Sequence, residues 1–327
     1  MSSPIPTSTS PLRDLAQERG FEIGAAVAID PLRSDPKYAE VLGEEFNLVV
    51  PENAMKWAAV EPVQGQFDFR QADLLVDFAQ KNAMRVRGHC LVWHQALPDW
   101  VQNGQWTKET LSAALQSHIT GEVKHFRGNA FAWDVVNEAI DEDGSLRQTL
   151  FYNTIGPEYL DLIFKWAHEA DPDALLFYND SNGEGLGRKS DAIYALVKGM
   201  KERGVPIHGV GLQMHISQYS YPADADLRAN IQRLGELGLV VHITELDVRL
   251  DEPFTAQKLE QQARIYRSIA QNCLAEKACR ALLMWGFTDK YSWIPGFFQG
   301  YGSGLIFDEA YRPKLAYGAL AEALAGK

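Results

Sequence analysis

Apolar positions along the chain fall into short dense runs separated by stretches with a helical rhythm. The runs occupy residues 21–29, 46–50, 84–93, 131–136, 174–178, 209–216, 240–246 and 281–287. Their length and β-branched content predict eight strands, each buried on both faces. Between them, Ile193, Leu196, Val197 and Met200 fall at i, i+3, i+4 and i+7. Leu111, Leu115, Ile119, Val123 and Phe126 trace a second helical face, and Tyr159, Leu162, Ile163, Trp166 and Ala170 a third. Pro313 suits the start of a last helix ending near Leu324. Strands alternating with helices predict an α/β protein with a parallel sheet. Eight of them predict a single-domain (β/α)8 TIM barrel over residues 13–327, behind a disordered Ser/Thr/Pro tail at residues 1–12. An open doubly wound sheet is the other arrangement, but no Gly-x-Gly-x-x-Gly follows the first run.

Length permits this: 327 residues hold one large barrel or two smaller domains. No apolar run reaches the roughly 18 residues of a membrane span. The net charge of -12 repels nucleic acid and anionic lipid and leaves a neutral substrate unpenalised. Eight Trp and twelve Tyr are a large aromatic supply, most of it for core and helix packing, and a few in a cleft would suit the flat face of a sugar ring. Residues 1–10 lack the apolar segment of a signal peptide. That fits either an intracellular protein or a mature secreted one. Cys273 and Cys279 lie six apart, a spacing open to a small disulfide loop or to two free thiols, and no zinc pattern includes them.

Polar residues gather at one end of the predicted strands. Glu52 and Asn53 follow the second, His89 and His94 lie near the third, and Asn137 and Glu138 close the fourth. Asn179 and Asp180 follow the fifth, Gln213 and His215 the sixth, Glu245 and Asp247 the seventh, and Trp285 the eighth. In a (β/α)8 barrel these converge on the carboxyl-terminal mouth, where active sites are built. Glu138 and Glu245 then face each other, as glycoside hydrolysis requires. A separation of about 5–5.5 Å would give retention and about 6.5–9.5 Å inversion.

The segments Glu52-Asn53-Ala54-Met55-Lys56-Trp57, Arg87-Gly88-His89-Cys90-Leu91-Val92-Trp93-His94, Trp133-Asp134-Val135-Val136-Asn137-Glu138-Ala139, Gly211-Leu212-Gln213-Met214-His215, Ile243-Thr244-Glu245-Leu246-Asp247 and Trp285-Gly286-Phe287-Thr288-Asp289-Lys290-Tyr291-Ser292-Trp293 resemble the signature segments of glycoside hydrolase family 10. The resemblance runs from about Phe21 to about Leu320. It implies a retaining endo-β-1,4-xylanase, a monomer acting on xylan and xylo-oligosaccharides with no cofactor, metal, nucleic acid or membrane. By it Glu138 is the acid/base and Glu245 the nucleophile. A neutral His215, oriented by Asp247, donates to Glu245, and Asn137 bonds the sugar 2-hydroxyl. Glu52, Asn53 and Lys56 hold the sugar on the non-reducing side, and Trp285 and Trp293 roof it. His89, Trp93, His94, Tyr178, Asn179 and Gln213 complete the substrate-binding set. The Cys273–Cys279 spacing resembles a bridged loop of secreted members. That implies a disulfide and an extracellular or periplasmic location, with the cytoplasm as the alternative.

Two positions depart from the pattern. Cys90 stands where the family usually has Thr and reads as a small buried residue. Ala96 replaces a Gln that contacts sugar and crowds out a hexose hydroxymethyl group, which implies weaker selection of xylose over glucose. The competing classes are a metal-dependent barrel hydrolase using His89, His94, His215, His242, Asp247 or Asp289, a non-catalytic sugar-binding barrel, and a β-1,4-glucanase.

Overall fold

The computed structural model describes residues 10–326. The tail reading for residues 1–9 lies outside them. Its boundary after residue 12 cuts a helix, Leu12–Gln17, in which Leu12, Leu15 and Ala16 are buried, so Leu12 belongs to the folded body.

Eight parallel strands close on themselves: β1 (Glu22–Val27), β2 (Leu48–Pro51), β3 (Arg85–Trp93), β4 (Ala130–Asn137), β5 (Leu175–Asp180), β6 (Gly209–Leu212), β7 (Val240–Asp251) and β8 (Cys279–Met284). Each pairs with the next, and β8 pairs with both β7 and β1. The open-sheet alternative is therefore excluded. Helices follow the strands in turn, started by side-chain caps where the sequence supplies them. Thr107 forms a capping box before Lys108–His125, and Thr255 caps Ala256–Ala275. The final helix is Leu315–Leu324 with Lys314 as its cap. Pro313 sits just outside it, bridged to Phe307.

Alternation along the strands sorts two cores. Ile23, Ala25, Val27, Val49, Trp133, Val135 and Val241 point outward into the large core beneath the helices. Ala26, Leu48, Val50, Ala281 and Leu283 fill the barrel interior, with Phe131 and Trp285 packed on them. Above this plug the interior turns polar. Arg87 is fully buried, forks onto Asp134 and contacts His242 Nδ1 at 2.8 Å. Removing one member of such a buried pair costs about 3–5 kcal/mol. Gly88 is required here, since any Cβ would meet the Trp133 ring at 2.2 Å.

Three strands slip register, β3 between His89 and Val92 and β4 between Asp134 and Val136, both near their carboxyl ends, and β7 between Ile243 and Leu246, in its first half. A bulge re-aims the side chains beyond it. On β7, Ile243 and Leu246 lie in the outer core, so Glu245 and Asp247 both face inward. The sixth predicted strand, 209–216, breaks in two. Met214 takes a left-handed backbone (φ 68°), and a short strand, His215–Ser217, restarts beside β7. Strand β7 also outruns its predicted end, reaching Asp251 above the barrel rim.

Candidate active site

Glu245 and Asp247 point inward from β7 and grip one imidazole. His215 Nε2 lies 2.9 Å from Glu245 Oε2, and its Nδ1 lies 2.8 Å from Asp247 Oδ2. Trp293 Nε1 donates to the same Asp247 oxygen at 2.9 Å. Glu245 and Asp247 are buried. Burial alone disfavours charge on His215, but Asp247 and Glu245 outweigh it and raise the imidazole to about 10. The ring sits between Glu245 and Asp247, as expected from sequence, and the two carboxylates favour its charged form over the neutral one the sequence suggests. Burial likewise pushes Glu245 up. The His215 bond, the charges of His89 and His215 and the Asn179 bond together hold it below the ordinary carboxylate range.

Glu138 lies just past β4 with φ 57°, a left-handed conformation that turns its side chain over the mouth. Its N–H donates to Asn179 O at 2.9 Å, and its carbonyl accepts from Arg147 Nε at 3.0 Å. Trp93 Nε1 donates to Oε2 at 3.1 Å, while Gln213 Nε2 (3.1 Å) and Asn137 Nδ2 (3.3 Å) donate to Oε1.

Amides join the two acids. Asn137 Oδ1 accepts from Asn179 Nδ2 at 2.8 Å and from Gln213 Nε2 at 3.1 Å, and Asn179 Nδ2 also donates to Glu245 Oε1 at 2.7 Å. Thr244 fixes the Asn179 amide from behind, donating to its Oδ1 at 2.7 Å. Glu138 and Glu245 thus belong to one connected network at the carboxyl-terminal mouth.

The remaining predicted residues surround this pair. His89 Nδ1 contacts Asp134 Oδ2 at 3.0 Å, and its ring meets Trp285 edge-on at 5.1 Å. Burial opposes its charge, but Cys90, Asp134 and Glu245 raise it to about 10. Lys56 donates to Asn53 Oδ1 at 2.9 Å, and its Nζ lies 4.8 Å from the Trp93 ring centre and 5.8 Å from that of Trp285. Glu52 accepts weakly from Asn53 at 3.4 Å, and burial raises it despite the opposing Lys56 charge and Asn53 bond. His94 is half-buried beside Trp93. A polar cavity of about 530 Å³ opens next to His215, with Glu142, Asn182, Lys189, Tyr221 and Arg249 in its wall.

Tyr178 does not join them. It is fully buried in the outer core, and its hydroxyl is spent on Asp180 and on the Ile140 N–H at 3.1 Å. It braces the loop after β4 from behind, because on β5 Asn179 takes the inward position. The candidate metal ligands are dispersed: His242 sits on Arg87, His89 on Asp134, and Asp289 on Lys314. No group of three donors able to hold a metal occurs among the described residues. Sequence reading missed Arg147, which lies in a loop without periodicity, and Glu184, a buried acceptor for the Met214 N–H at 3.0 Å. Thr244 was visible as Glu245's neighbour but carried no signal of its own.

A closed barrel presenting two inward carboxylates at its carboxyl-terminal mouth, one bonded to a His–Asp pair and both set among aromatics, has the makings of a glycoside hydrolase. Residues 11–323 match the profile of glycosyl hydrolase family 10, and the chain belongs to that family. Among curated relatives, endo-1,4-beta-xylanase B of Thermotoga neapolitana is 45% identical over 97% of this chain and 92% of its own length. Native xylanase 10B of Thermotoga maritima superposes with a TM-score of 0.94 at 45% identity, covering 97% of this chain and 98% of that one. Xylanase 10B of Thermotoga petrophila, solved in complex with xylobiose, gives 0.95 at 43%, covering 100% and 98%.

Proposed function

We propose that this chain is an endo-1,4-β-xylanase that cuts xylan internally by double displacement, with Glu138 as general acid/base and Glu245 as nucleophile. The observation that carries the roles is the unequal surroundings of the two acids. Glu245 lies against His215 Nε2 at 2.9 Å and accepts from Asn179 Nδ2 at 2.7 Å, and these contacts aim it and hold it below the ordinary carboxylate range. The Glu138 carboxyl accepts only from neutral donors, Trp93, Asn137 and Gln213. A Glu245 oxygen attacks the anomeric carbon while Glu138 gives its proton to the departing glycosidic oxygen. Glu138 then takes a proton from water, which attacks the same carbon and releases Glu245. The anomeric configuration is retained. Asn137 lies between the acids and serves the sugar 2-hydroxyl, a contact that strengthens in the transition state.

Glu52, Asn53 and Lys56 hold the non-reducing side, and His89, Trp93, His94, Asn179 and Gln213 line the reacting unit. Trp285 and Trp293 roof it, and the cavity beside His215 receives the leaving side. The substrates are xylan and xylo-oligosaccharides. The enzyme works as a monomer, and its net charge of -12 sets it against nucleic acid and anionic lipid. Among the described residues no helix is long and apolar enough to cross a membrane. The Cys273–Cys279 disulfide favours an extracellular or periplasmic location over the cytoplasm.

Removing each acid tests the roles. Glu138→Ala retains the first step on a dinitrophenyl xylobioside, whose leaving group departs without help. Azide, which needs no base, rescues turnover and gives the β-glycosyl azide. In Glu245→Ala azide fills the emptied space and gives the α product. Exchanged anomers would reverse the assignment. A product profile on unsubstituted xylan beside cellulose tests the substrate. Xylan is cleaved faster, by a margin toward the lower end of the roughly 10–200-fold that one missing group provides, because Ala96 fills less space than Gln. Equal rates would reject the xylanase reading.

A further inference from the structure

We propose that Asp35 is a positioning residue for the reaction: it clasps the loop that carries Trp293 and so sets the height of the sugar roof and the preference for xylose over glucose. The inference rests on the reading of Trp293 as part of that roof.

Asp35 lies far from the acids in sequence, between the two helices that follow β1. Its two oxygens do different work. Oδ1 caps the helix Pro36–Glu45, accepting from the N–H of Lys37 at 3.1 Å and of Tyr38 at 3.4 Å. Oδ2 accepts three side-chain donors from the end of the chain: Tyr311 Oη at 2.6 Å, Lys290 Nζ at 2.7 Å and Tyr291 Oη at 2.9 Å. Capping needs only the first oxygen, so the cap does not explain the second. Lys290, followed by Tyr311, holds the carboxyl well below the usual carboxylate range against a small opposing effect of burial, so the clasp stays charged in mild acid.

Lys290 and Tyr291 belong to the short helical turn Asp289–Tyr291, two residues before Trp293. Asp289 grips the opposite side of this turn, accepting from Leu305 N at 2.9 Å and Lys314 Nζ at 2.7 Å. Beyond Trp293 the chain is tied down again by Ile294, which is fully buried, and by Tyr301–Gly302, paired with β7, while Phe297 stands 74% exposed against the Trp293 ring. The indole is therefore placed by its bond to Asp247 and by the anchors on either side of it, of which the turn held by Asp35 and Asp289 is the one that precedes it. A glucosyl unit needs space for one extra hydroxymethyl group beneath that ring, so a looser turn admits the hexose before it harms the pentose.

Asp35→Asn is a clean probe. The amide oxygen caps as well as a carboxylate, but the NH2 in place of Oδ2 cannot accept from three donors. The measurement is kcat/KM on aryl β-xylobioside and aryl β-cellobioside. The xylo/gluco ratio falls about three- to ten-fold, within the range one group provides. kcat on the xylobioside stays within about twofold, because the two acids keep their partners, and the loss appears in KM. Lys290→Met, at a partly exposed side chain, removes the clasp's cation without touching Asp35 and lowers the ratio the same way. It keeps the test open should Asp35→Asn fold poorly. Trp293→Ala is the control for the roof. If it collapses the ratio while Asp35→Asn and Lys290→Met leave it unchanged, the clasp is wrong and the roof stands. If Trp293→Ala leaves the ratio unchanged, the roof reading fails and this inference with it.

Discussion

His215 shows how a single side chain sets the chemistry of its neighbours. Its ring spans Glu245 and Asp247 at 2.9 and 2.8 Å, so its charge and the nucleophile's are coupled. Glu245, depressed in the fold, contributes stability above its unfolded value that is lost as pH falls through the folded one. His215, raised to about 10, contributes stability fully present below 6.5 and lost as pH climbs through 10. In activity the same coupling fixes the acid limb of kcat/KM, which reports the free enzyme's nucleophile. His215→Asn removes a cation and a hydrogen bond from Glu245, so that limb moves to higher pH and kcat falls. A pH–rate profile of wild type and variant checks this, and an unmoved limb would show that His215 does not hold Glu245 ionised. Sequence placed His215 between Glu245 and Asp247, but which way burial and the two carboxylates push its charge depends on distances that sequence does not give.

The helix Lys108–His125 carries a group that the catalytic machinery does not use. Glu122 is fully buried, and neither of its oxygens has a hydrogen-bond partner. His118 Nε2, 3.5 Å away, is directed to Leu91 O at 3.0 Å. Burial, reinforced by nearby Glu61, raises Glu122 well above the ordinary value of 4.5. The folded state then holds a proton that the unfolded state releases, so this group's contribution is full below 4.5 and declines as pH rises. Glu122→Gln keeps the shape and cannot titrate. Its melting temperature relative to wild type therefore rises between about pH 4.5 and 8. Thermal melts across that range check it, and a pH-independent gap would mean Glu122 is not held protonated. Sequence could not reveal this, since Glu122 reads as an ordinary polar position until Trp57 and His118 stack over the same region. The eight strands were legible because each is a dense apolar run. The break at Met214, the overshoot of β7 to Asp251 and the three bulges were not. None of them follows from the local apolar pattern. The bulges turn Asn137 and Glu245 inward, so the residues easiest to find by motif are held by the features hardest to find by periodicity.

At the scale of the whole barrel the critical contact is the closure, where β8 pairs with β7 on one side and β1 on the other. The Cys273–Cys279 disulfide sits at the entrance to that strand, linking the last turn of Ala256–Ala275 to the first residue of β8. Both cysteines are buried, and Cys90 is the free thiol among the described residues. A bridge closing a six-residue loop removes little unfolded-state entropy. Its loss costs about 2 kcal/mol on the chain-entropy relation. In so large a domain that lowers the melting temperature by only a few degrees, so the barrel stays folded without it. The Cys273→Ser/Cys279→Ser double variant therefore remains active with a slightly lower melting temperature. Titration of the denatured, unreduced wild type with a thiol reagent finds one thiol, Cys90. Prior reduction exposes three. Three thiols before reduction would mean the protein matured in a reducing compartment, and the argument for an extracellular or periplasmic enzyme would fail while the assignment of Glu138 and Glu245 stood.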